Sequence, residues 1–456
     1  MSDVNLKPYS AEEAASATPI HAIRTGELGA VDLPEALVSL ANANKFNGEA
    51  GSLLAHDEGV LLGTGDGADP LIAAAAADKL PNGVYHFITQ FDPHAASLHS
   101  LGWLIGAYRF DRYKKTAPCE AILIAPENAD VSWAIRAGAS ASLVRTLVNT
   151  PAGDMTPEAL GRAAADLAEE YNAEASMIIG EALLEKNFPM IHAVGRAADC
   201  PPRLVDIRWG REDAPKITII GKGVTFDSGG LNIKGASGMV LMKKDMGGAA
   251  HTLGLARMIM DAKLNVRLRV LLPTVENAIS GNAFRPSDVL PSRKGLSVEI
   301  GNTDAEGRLI LADALALGAE EEPELMISLA TLTGAARVAL GPEVVPAYTD
   351  DDDLAGALAA ASQKCADPLW RMPLWNNYDQ MLSSNVADLN HISGNSFAGS
   401  IIAALFLRRF VEGAKAWAHF DIYAWRPKAA PGRPVGAECQ AIRAIFDVIE
   451  SRFAAR

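Results

Sequence analysis

Residues 302–309 (NTDAEGRL) place two carboxylates and a guanidinium within five residues of one another. They lie where an irregular, glycine-containing stretch gives way to an apolar helical pattern. Carboxylates at a helix start can position a metal ion, and an arginine beside them can hold an anion. The same residues also suit an ordinary helix start, with Asp304 as N-cap, Glu306 in the first turn and Arg308 paired with Glu306. The segment alone leaves both interpretations open.

A second acidic segment lies upstream at residues 221–248 (GKGVTFDSGGLNIKGASGMVLMKKDMGG), where Asp227 and Asp245 stand among eight glycines. So many glycines indicate unusual backbone angles and close approaches. Buried carboxylates need cations or hydrogen-bond donors, and ordinary salt bridges could supply them from Lys222, Lys234, Lys243 and Lys244. The four carboxylates of the two segments could equally bind Mg, Mn or Zn, and carboxylates can bridge two such ions.

Strands and helices alternate around these segments. The predicted strands are 217–220, 266–272 and 325–330, and the predicted helices are 248–262 and 305–319. The strand at 266–272 is expected to stop at Pro273, because proline cannot donate to a strand ladder. This alternation predicts a largely parallel sheet flanked by helices, in which ligands bind beyond the carboxyl ends of the strands. The loops that contain Lys222 and Thr331 therefore belong on that edge.

The length of 456 residues predicts two domains, since one ordinary core is smaller. Residues 1–130 are predicted to form an N-terminal α/β domain and residues 131–150 a linker helix. Residues 151–456 are predicted to form the larger, catalytic domain. The predicted fold class is α/β, with a mixed or mostly parallel sheet flanked by helices in each domain.

Composition excludes several classes of partner. The residues are 49% hydrophobic and 21% charged, which is typical of a globular protein. The net charge of −14 opposes binding to nucleic acid, because phosphates would be repelled. No run of about 18 apolar residues occurs, so we expect no membrane partner. The four cysteines are far apart and the N-terminus lacks an apolar signal segment, which favours a cytoplasmic location.

Other catalytic motifs fail on inspection. There is no HExxH zinc motif, no phosphate-binding loop and no dinucleotide fingerprint, because Phe226 stands where the third glycine is required. Ser396, in residues 394–398 (GNSFA), is a near match to a serine-hydrolase elbow, but polar residues rather than an apolar strand precede it. His251 and His419 lie in apolar surroundings that favour packing or hydrogen bonding over metal ligation.

Taken together, these motifs resemble the signatures of the leucyl (cytosol) aminopeptidase family. The resemblance is carried, with the same spacing, by GKGVTFDSGG at 221–230, Lys234, MKKDMGGAA at 242–250 and NTDAEGRL at 302–309. It extends to ATLTGAARVALG at 330–341, WAHFDI at 417–422 and NTPAGDMTP at 149–157. It covers roughly residues 145–456 and, more loosely, the first domain.

The resemblance implies a two-metal exopeptidase that releases N-terminal, leucine-like residues from peptides. It implies two divalent ions per subunit, Zn²⁺ or Mn²⁺, with Lys222, Asp227, Asp245, Asp304 and Glu306 as ligands. Asp227 and Glu306 would bridge the ions, and metal proximity would lower the pKa of Lys222. Lys234 and Arg308 would be the catalytic side chains, with a bicarbonate ion held by Arg308. Met242, Thr331 and Gly334 would line the pocket for the first side chain.

The resemblance also implies a homohexamer with the catalytic domains at its centre. One departure concerns Tyr423-Ala424-Trp425, which is bulkier than the family pattern and puts the side-chain preference in doubt. Two alternatives remain: a DNA-binding regulator built on the same fold, since some family members bind DNA, and a serine hydrolase that uses Ser396.

Overall fold

The computed structural model describes residues 5–453, which form two compact units. The first unit contains the described residues up to Ser142 together with Arg426–Gly436. The second contains Leu143–Trp425 and the described residues from Ala437 onward. The division after Ser142 falls within the predicted linker 131–150, and residues 426–436 are grouped with the first unit.

The first unit is built on a six-stranded sheet. Its elements are β1 (Leu6–Lys7), α1 (Ala11–Ser16), β2 (Thr18–Arg24), α2 (Glu35–Ala43), β3 (Leu53–His56), β4 (Gly59–Gly65), α3 (Ala74–Lys79), β5 (Gly83–Phe87), α4 (Pro93–Ala107) and β6 (Ala121–Ile124), followed by α5 (Val131–Asn149), which continues into the second unit. The strand order is β1-β6-β5-β2-β4-β3, and β3 is antiparallel to β4 while the other described pairs are parallel. Helix α4 begins where the Asp92 carboxylate accepts from the His94 and Ala95 amides.

The second unit holds the remaining elements. These are α6 (Pro157–Glu170), β7 (Glu174–Ile179), α7 (Ala182–Glu185), α8 (Pro189–Gly195), β8 (Arg203–Trp209), β9 (Lys216–Gly221), β10 (Gly223–Asp227), α9 (Ala236–Met239), α10 (Gly247–Asp261), β11 (Arg267–Asn277), β12 (Val289–Pro291), β13 (Ser297–Glu299), α11 (Gly307–Ala319), β14 (Leu325–Ala330), α12 (Gly334–Leu340), β15 (Val345–Tyr348), α13 (Asp352–Lys364), β16 (Leu369–Arg371), β17 (Leu389–Asn390), α14 (Gly399–Arg408), β18 (Trp417–Asp421), β19 (Trp425–Arg426), β20 (Gly436–Ala437) and α15 (Ile442–Phe453). Two short 3₁₀ turns, Met242–Met246 and Thr303–Ala305, precede α10 and α11. Strands β19 and β20 form a separate two-stranded sheet.

A nine-stranded, mostly parallel sheet forms the framework of the second unit, which confirms the predicted fold class. Its order is β16-β15-β18-β14-β9-β11-β8-β7, with β10 paired to β11. The central strands β18, β14, β9 and β11 are parallel, and side chains along β14 and β18 are buried throughout. Helices α10 and α11 both pack on this sheet. Burial on both faces explains why these strands read as continuous apolar runs.

The sequence predicted that strand β11 stops at Pro273. In the structure, β11 continues past Pro273 to Asn277. On its parallel side, β9 pairs with β11 as far as Leu271 and β10 begins to pair at Thr274. Pro273 therefore falls at the gap between two partner strands, where a missing N–H removes no ladder hydrogen bond on that side. The extension carries Asn277 to the edge of the sheet.

The parallel strands end together at one edge, where the candidate site lies. Gly221 ends β9, Asp227 ends β10, Ala330 ends β14 and Asp421 ends β18. Gly248, at the start of α10, allows this helix to pack closely against β14, because a Cβ at that position would overlap the Leu329 carbonyl oxygen. Among the described helices none is long and apolar enough to cross a membrane.

Candidate metal centre and substrate pocket

All five predicted metal-ligand residues reach this edge of the sheet. Lys222 follows β9, Asp227 ends β10, Asp245 lies in the turn before α10, Asp304 lies in the turn before α11, and Glu306 directly precedes α11. Carboxylate oxygens of Asp227, Asp245 and Glu306 lie within 4.8 Å of one another, and the three residues are buried. Three buried oxygens at this spacing could hold a metal ion.

The ammonium group of Lys222 lies within this carboxylate cluster. Its Nζ is 2.7 Å from Asp245 Oδ2 and 2.9 Å from Glu306 Oε1, and it donates to the Thr331 carbonyl oxygen at 3.1 Å. Burial by itself lowers the pKa of Lys222, but the neighbouring carboxylates outweigh burial and raise it above the ordinary lysine value. The protein groups alone therefore keep Lys222 protonated. A cation close to it would be needed to lower its pKa below the ordinary lysine value.

The orientation of Asp227 is fixed by neighbouring donors. Its Oδ1 accepts hydrogen bonds from the Gly229 amide at 2.9 Å and from Asn277 Nδ2 at 2.8 Å, while Oδ2 lies 2.7 Å from Lys234 Nζ. Burial, followed by the charges of other carboxylates in the cluster, raises the pKa of Asp227 well above its ordinary value. The site thus holds this carboxylate in place while penalising its charge.

Asp245 and Glu306 contain buried oxygens that accept no well-directed hydrogen bond. These atoms are Asp245 Oδ2 and both carboxylate oxygens of Glu306. Two of them lie within ion-pair distance of Lys222, so charge contact is present without hydrogen-bond geometry. Burial raises the pKa of Glu306; burial acts in the same direction on Asp245, but Lys222 and Lys244 outweigh it and lower the pKa of Asp245. Buried lone pairs without donors fit metal ligation, which these oxygen types suit.

Lys234 is held between two of the carboxylates at the wall of the adjoining pocket. Its Nζ lies 2.7 Å from Asp227 Oδ2 and also contacts Asp304 Oδ1. Burial opposes the charge of Lys234, but these carboxylates raise its pKa above the ordinary value. Lys234 therefore presents a protonated donor to whatever occupies the pocket.

The carboxylates before α11 do not cap that helix. Glu306 stands at the N-cap without a capping hydrogen bond from its side chain, and Asn302 caps the preceding turn by accepting from the Asp304 amide at 2.8 Å. Within residues 5–453, the ion pair of Glu306 is with Lys222 rather than with Arg308. Neither side chain caps α11 through a hydrogen bond, and the expected pairing of Arg308 with Glu306 is wrong.

Arg308 is a buried cation with a guanidinium N–H group that makes no hydrogen bond to any described residue. One guanidinium nitrogen donates to the His391 carbonyl oxygen at 2.7 Å, whereas Nε is buried and has no partner among the described residues. Burial lowers the pKa of Arg308 to about 10, although Asp421 and Glu306 act in the opposite direction. A buried guanidinium with an unsatisfied donor fits a small planar anion.

A pocket of about 380 Å³ opens beside the cluster. Met242, Thr331 and Gly334, the three predicted pocket residues, all contribute to its lining. Thr331 also supports the cluster, because its hydroxyl donates to Asp245 Oδ1 at 2.8 Å. A substrate group in this pocket would therefore lie next to the carboxylates.

Lys244, Arg337 and Tyr423 also line this pocket. The Tyr423 ring lies beneath both cations, with Lys244 Nζ at 4.9 Å and Arg337 Cζ at 4.7 Å from the ring centre. Burial lowers the pKa of Lys244 to about 8. The bulky residue noted in the sequence is thus part of the pocket wall and is accompanied by positive charge.

Sequence reasoning missed two positioning residues. Asn277 links two loops of the cluster, since its Nδ2 donates to Asp227 Oδ1 at 2.8 Å and to the Thr303 carbonyl oxygen at 3.0 Å. Asp421 holds the loop after β14 by accepting from the Leu332 and Thr333 amides at 3.0 and 3.1 Å. Asp421 could have been found from its place at the end of an apolar strand, but Asn277 lies past Pro273, where the strand was expected to have ended.

The histidines and Ser396 do not form a catalytic pair. His251 Nδ1 contacts the Gly247 carbonyl oxygen at 2.7 Å, and His419 Nδ1 contacts Ser328 Oγ at 3.0 Å. Both histidines therefore form hydrogen bonds in the interior of the protein. Ser396 lies on an exposed loop before α14, not on a sharp turn that follows a strand. Within residues 5–453 no hydrogen bond joins Ser396 to a histidine.

Fold and site together define a class: an α/β protein with a carboxylate-rich candidate metal centre at the carboxyl ends of parallel strands. Comparison with known families narrows this class. The model of the catalytic domain of the cytosol aminopeptidase family matches residues 142–446, and that of the M17 aminopeptidase N-terminal domain matches residues 28–126. The chain belongs to the cytosol aminopeptidase family. Membership supports an aminopeptidase, and hence a peptide hydrolase.

Relatives extend along most of the chain. A probable cytosol aminopeptidase of Syntrophotalea carbinolica is 39% identical over 76% of this chain and 73% of its own length. One from a Geobacter species is 38% identical over 83% of this chain and 79% of its own length. A crystal structure of the cytosol aminopeptidase from Coxiella burnetii is 43% identical, covers 98% of this chain and 99% of its own, and superposes with a TM-score of 0.91. The bottromycin maturation enzyme BotP in complex with Mn is 30% identical over 96% of this chain and 99% of its own, with a TM-score of 0.86.

Proposed function

We propose that this chain is a two-metal aminopeptidase that releases N-terminal amino acids, preferably leucine-like ones, from peptides. The observation that carries the proposal is Glu306, which is buried at 1% exposure with both carboxylate oxygens lacking a well-directed donor. Such a group is costly unless a cation compensates it. Lys222 and Lys234 offer two positive charges to four carboxylates, those of Asp227, Asp245, Asp304 and Glu306, so added divalent ions would compensate the remaining negative charge.

Two divalent ions, Zn²⁺ or Mn²⁺, would be held by Lys222, Asp227, Asp245, Asp304 and Glu306. When bound, such ions polarise a carbonyl group and make water a nucleophile near neutral pH. Mn²⁺ is a reasonable choice because the related BotP structure is a complex with Mn. Hard carboxylate oxygens suit either ion.

The chain's own side chains would then stabilise charge and move protons. Lys234, kept protonated by Asp227 and Asp304, would donate to the oxygen that becomes negative as the peptide bond is attacked. Arg308 would hold a bicarbonate ion through its unsatisfied guanidinium, and that anion would act as the proton carrier. These roles explain why the cluster needs no histidine.

Substrate selection would depend on the adjoining pocket. Met242, Thr331 and Gly334 would contact the first side chain of the peptide, and the apolar atoms of that wall favour leucine-like residues. The free amino group of the substrate would face the carboxylate cluster, which would restrict cleavage to N-termini. A blocked amino group would lose this interaction.

We further propose a homohexamer that acts on peptides in the cytoplasm. The hexamer and the cytoplasmic location rest on family resemblance, and the four cysteines, none of which forms a disulfide in the described chain, suit a reducing compartment. Nucleic acid is not an expected partner, because the net charge is −14. Light scattering would test the hexamer, and salt-dependent DNA binding would contradict the expected absence of a nucleic-acid partner.

A leucine chromogenic-amide assay tests the catalytic proposal. Activity should disappear after verified metal removal and return when Zn²⁺, Mn²⁺, Mg²⁺ or Co²⁺ is restored one at a time. Glu306→Ala and Asp245→Ala should remain inactive after metal is restored, and the N-acetylated substrate should not be cleaved. Full activity in verified metal-free protein would contradict the proposal, and its loss in Ser396→Ala would then favour the serine-hydrolase alternative.

A further inference from the structure

The pocket beside the candidate metal centre has a cationic wall that a leucine-like side chain does not require. Lys244 reaches the pocket from the turn Met242–Met246, and Arg337 reaches it from helix α12. Both cations lie within 5 Å of the centre of the Tyr423 ring. The two cations and the aromatic ring therefore lie close together in the lining of a single pocket.

Lys244 lacks the partner that a buried ammonium group usually has. The residue is 4% exposed, yet within residues 5–453 it forms no ion pair and its ammonium makes no hydrogen bond. The adjacent Asp245 does not supply one, because its carboxylate is directed to Lys222 and to the Thr331 hydroxyl. Burying an unpaired cation is costly, so a Lys244 that faces a pocket is suited to an anionic ligand.

Arg337 is the second cation in the lining of the pocket. It is exposed, it forms no ion pair within the described chain, and a planar guanidinium can bind a carboxylate through two parallel hydrogen bonds. The Tyr423 ring holds both cations at one wall through cation–π contacts. A carboxylate on the substrate would therefore meet two donors that are already positioned.

We propose that this pocket also accepts acidic first residues, so that the enzyme releases N-terminal aspartate and glutamate. The inference rests on the proposed aminopeptidase function. The C-terminal carboxylate of a short peptide would offer the same chemistry. The cations share their pocket with Met242, Thr331 and Gly334, which favours the side chain of the first residue as the source.

The test compares glutamyl and glutaminyl chromogenic amides, which are nearly isosteric and differ in charge. In Arg337→Gln and in Lys244→Met, the ratio of kcat/KM for the glutamyl amide to that for the glutaminyl amide should fall about tenfold, as expected for the loss of one charge-assisted hydrogen bond. Cleavage of the leucyl amide is measured beside it in each variant, so that a general loss of activity is separated from a loss of preference for the acidic residue. Arg337 is exposed, so its variant keeps the test decisive even if Lys244→Met fails to fold.

Lys243→Met is the matched control. It removes the same charge one residue away, but Lys243 donates to the Asn149 carbonyl oxygen at 2.6 Å and is not part of the pocket wall. Its glutamyl-to-glutaminyl ratio should stay at the wild-type value. An equal fall in this control would overturn the proposal, since the effect would then be one of overall charge.

A second pair of substrates separates the two carboxylate sources. Chromogenic amides have no C-terminal carboxylate, whereas Leu-Gly and its C-terminal amide differ only in that group. If Arg337→Gln lowers the Leu-Gly preference and leaves the glutamyl ratio unchanged, the cations serve the C-terminus and the inference is wrong. An unchanged ratio in both pairs also refutes it, while the leucyl activity shows independently whether the proposed function holds.

Discussion

The Glu306 carboxylate is buried in the candidate metal centre, where its negative charge is energetically costly. It is buried, its pKa is raised by burial, and its two oxygens lack well-directed donors. Its neighbours Asp227 and Asp245 bring further negative charge within a few ångströms. An amide or an apolar side chain at this position would avoid the cost, so a carboxylate here fits a site that binds a cation.

Asn277 provides a prediction at the same scale. Its amide group fixes Asp227 Oδ1 and the Thr303 carbonyl oxygen, so Asn277→Ala should loosen two ligand-bearing loops together. Residues that orient ligands typically change metal affinity by about 10–100-fold. We expect a loss of this size for Mn²⁺ in isothermal titration calorimetry. The exposed Asn282→Ala is the control and should keep the wild-type affinity; equal affinities in all three proteins would contradict the positioning role.

The residue types at the site could be predicted more easily than their partners. The spacing of Asp227, Asp245 and Glu306 indicated carboxylates at one sheet edge, and these side chains do meet. The same spacing also allowed a capped helix with Arg308 paired to Glu306, which the structure excludes. Short-range sequence patterns cannot distinguish a carboxylate that turns toward its own helix from one that turns toward distant strands, because the deciding partner, Lys222, is 84 positions away.

At the scale of elements, helix α11 shows how a backbone position controls the site. Gly307 is the first residue of α11, and a Cβ there would lie 2.6 Å from Lys222 Cδ, Cε and Nζ. The backbone at Gly307 does not require glycine, since its φ angle lies outside the positive region. Its lack of a side chain is therefore explained by the lysine that passes over it.

Gly307→Ala should separate stability from activity. Alanine favours a helix by about 1 kcal/mol over glycine, so helix propensity should offset much of the steric cost of moving a flexible lysine side chain. Displacement of Lys222 should nevertheless lower kcat/KM for the leucyl amide by at least about tenfold. Thermal melts and steady-state kinetics measure the two effects.

The matched control is Gly356→Ala in helix α13, where an added Cβ would meet no atom within 4 Å. It should gain stability and keep full activity. If Gly307→Ala were as active as this control, Lys222 would tolerate displacement and its assigned place in the cluster would be wrong.

The elements were predictable where one local rule dominated. The helix that begins after Thr156 follows an N-cap and a proline at the first position, and the structure contains it as α6. The end of β11 was not predictable, because proline forbids a hydrogen bond only where a partner strand would accept one. The gap between β9 and β10 is a tertiary feature, and it leaves Pro273 without a partner on the parallel side of β11.

At the scale of the whole molecule, the proposed metal binding would be coupled to the stability of the second unit. The charges of the buried carboxylates in this unit oppose its folding. The same carboxylates lie at one end of its nine-stranded sheet. A ligand that binds the folded state alone stabilises it by about 2.7 kcal/mol at a free concentration of 100 times Kd. Thermal stability should therefore report on the site without any assay of activity.

Glu306→Gln should keep or raise the thermal stability of the metal-free protein and weaken the binding of Mn²⁺. Replacing the buried charge by an isosteric amide removes repulsion with Asp227 and Asp245, while Lys222 keeps its ion pair with Asp245. In a chelator, the variant should melt at the wild-type temperature or about 2–4 °C above it, corresponding to about 1 kcal/mol. With Mn²⁺ added, wild type should gain several degrees and the variant little.

Glu276→Gln supplies the control for this melt, because Glu276 is a half-buried carboxylate on β11 outside the cluster. Its melting temperature should respond to Mn²⁺ as that of wild type does. Calorimetry at two Mn²⁺ concentrations would show the rise with free metal that mass action requires. An equal Mn²⁺-dependent shift in Glu306→Gln would mean that the ion binds elsewhere, since an amide oxygen cannot replace the charge that the buried cluster contributes.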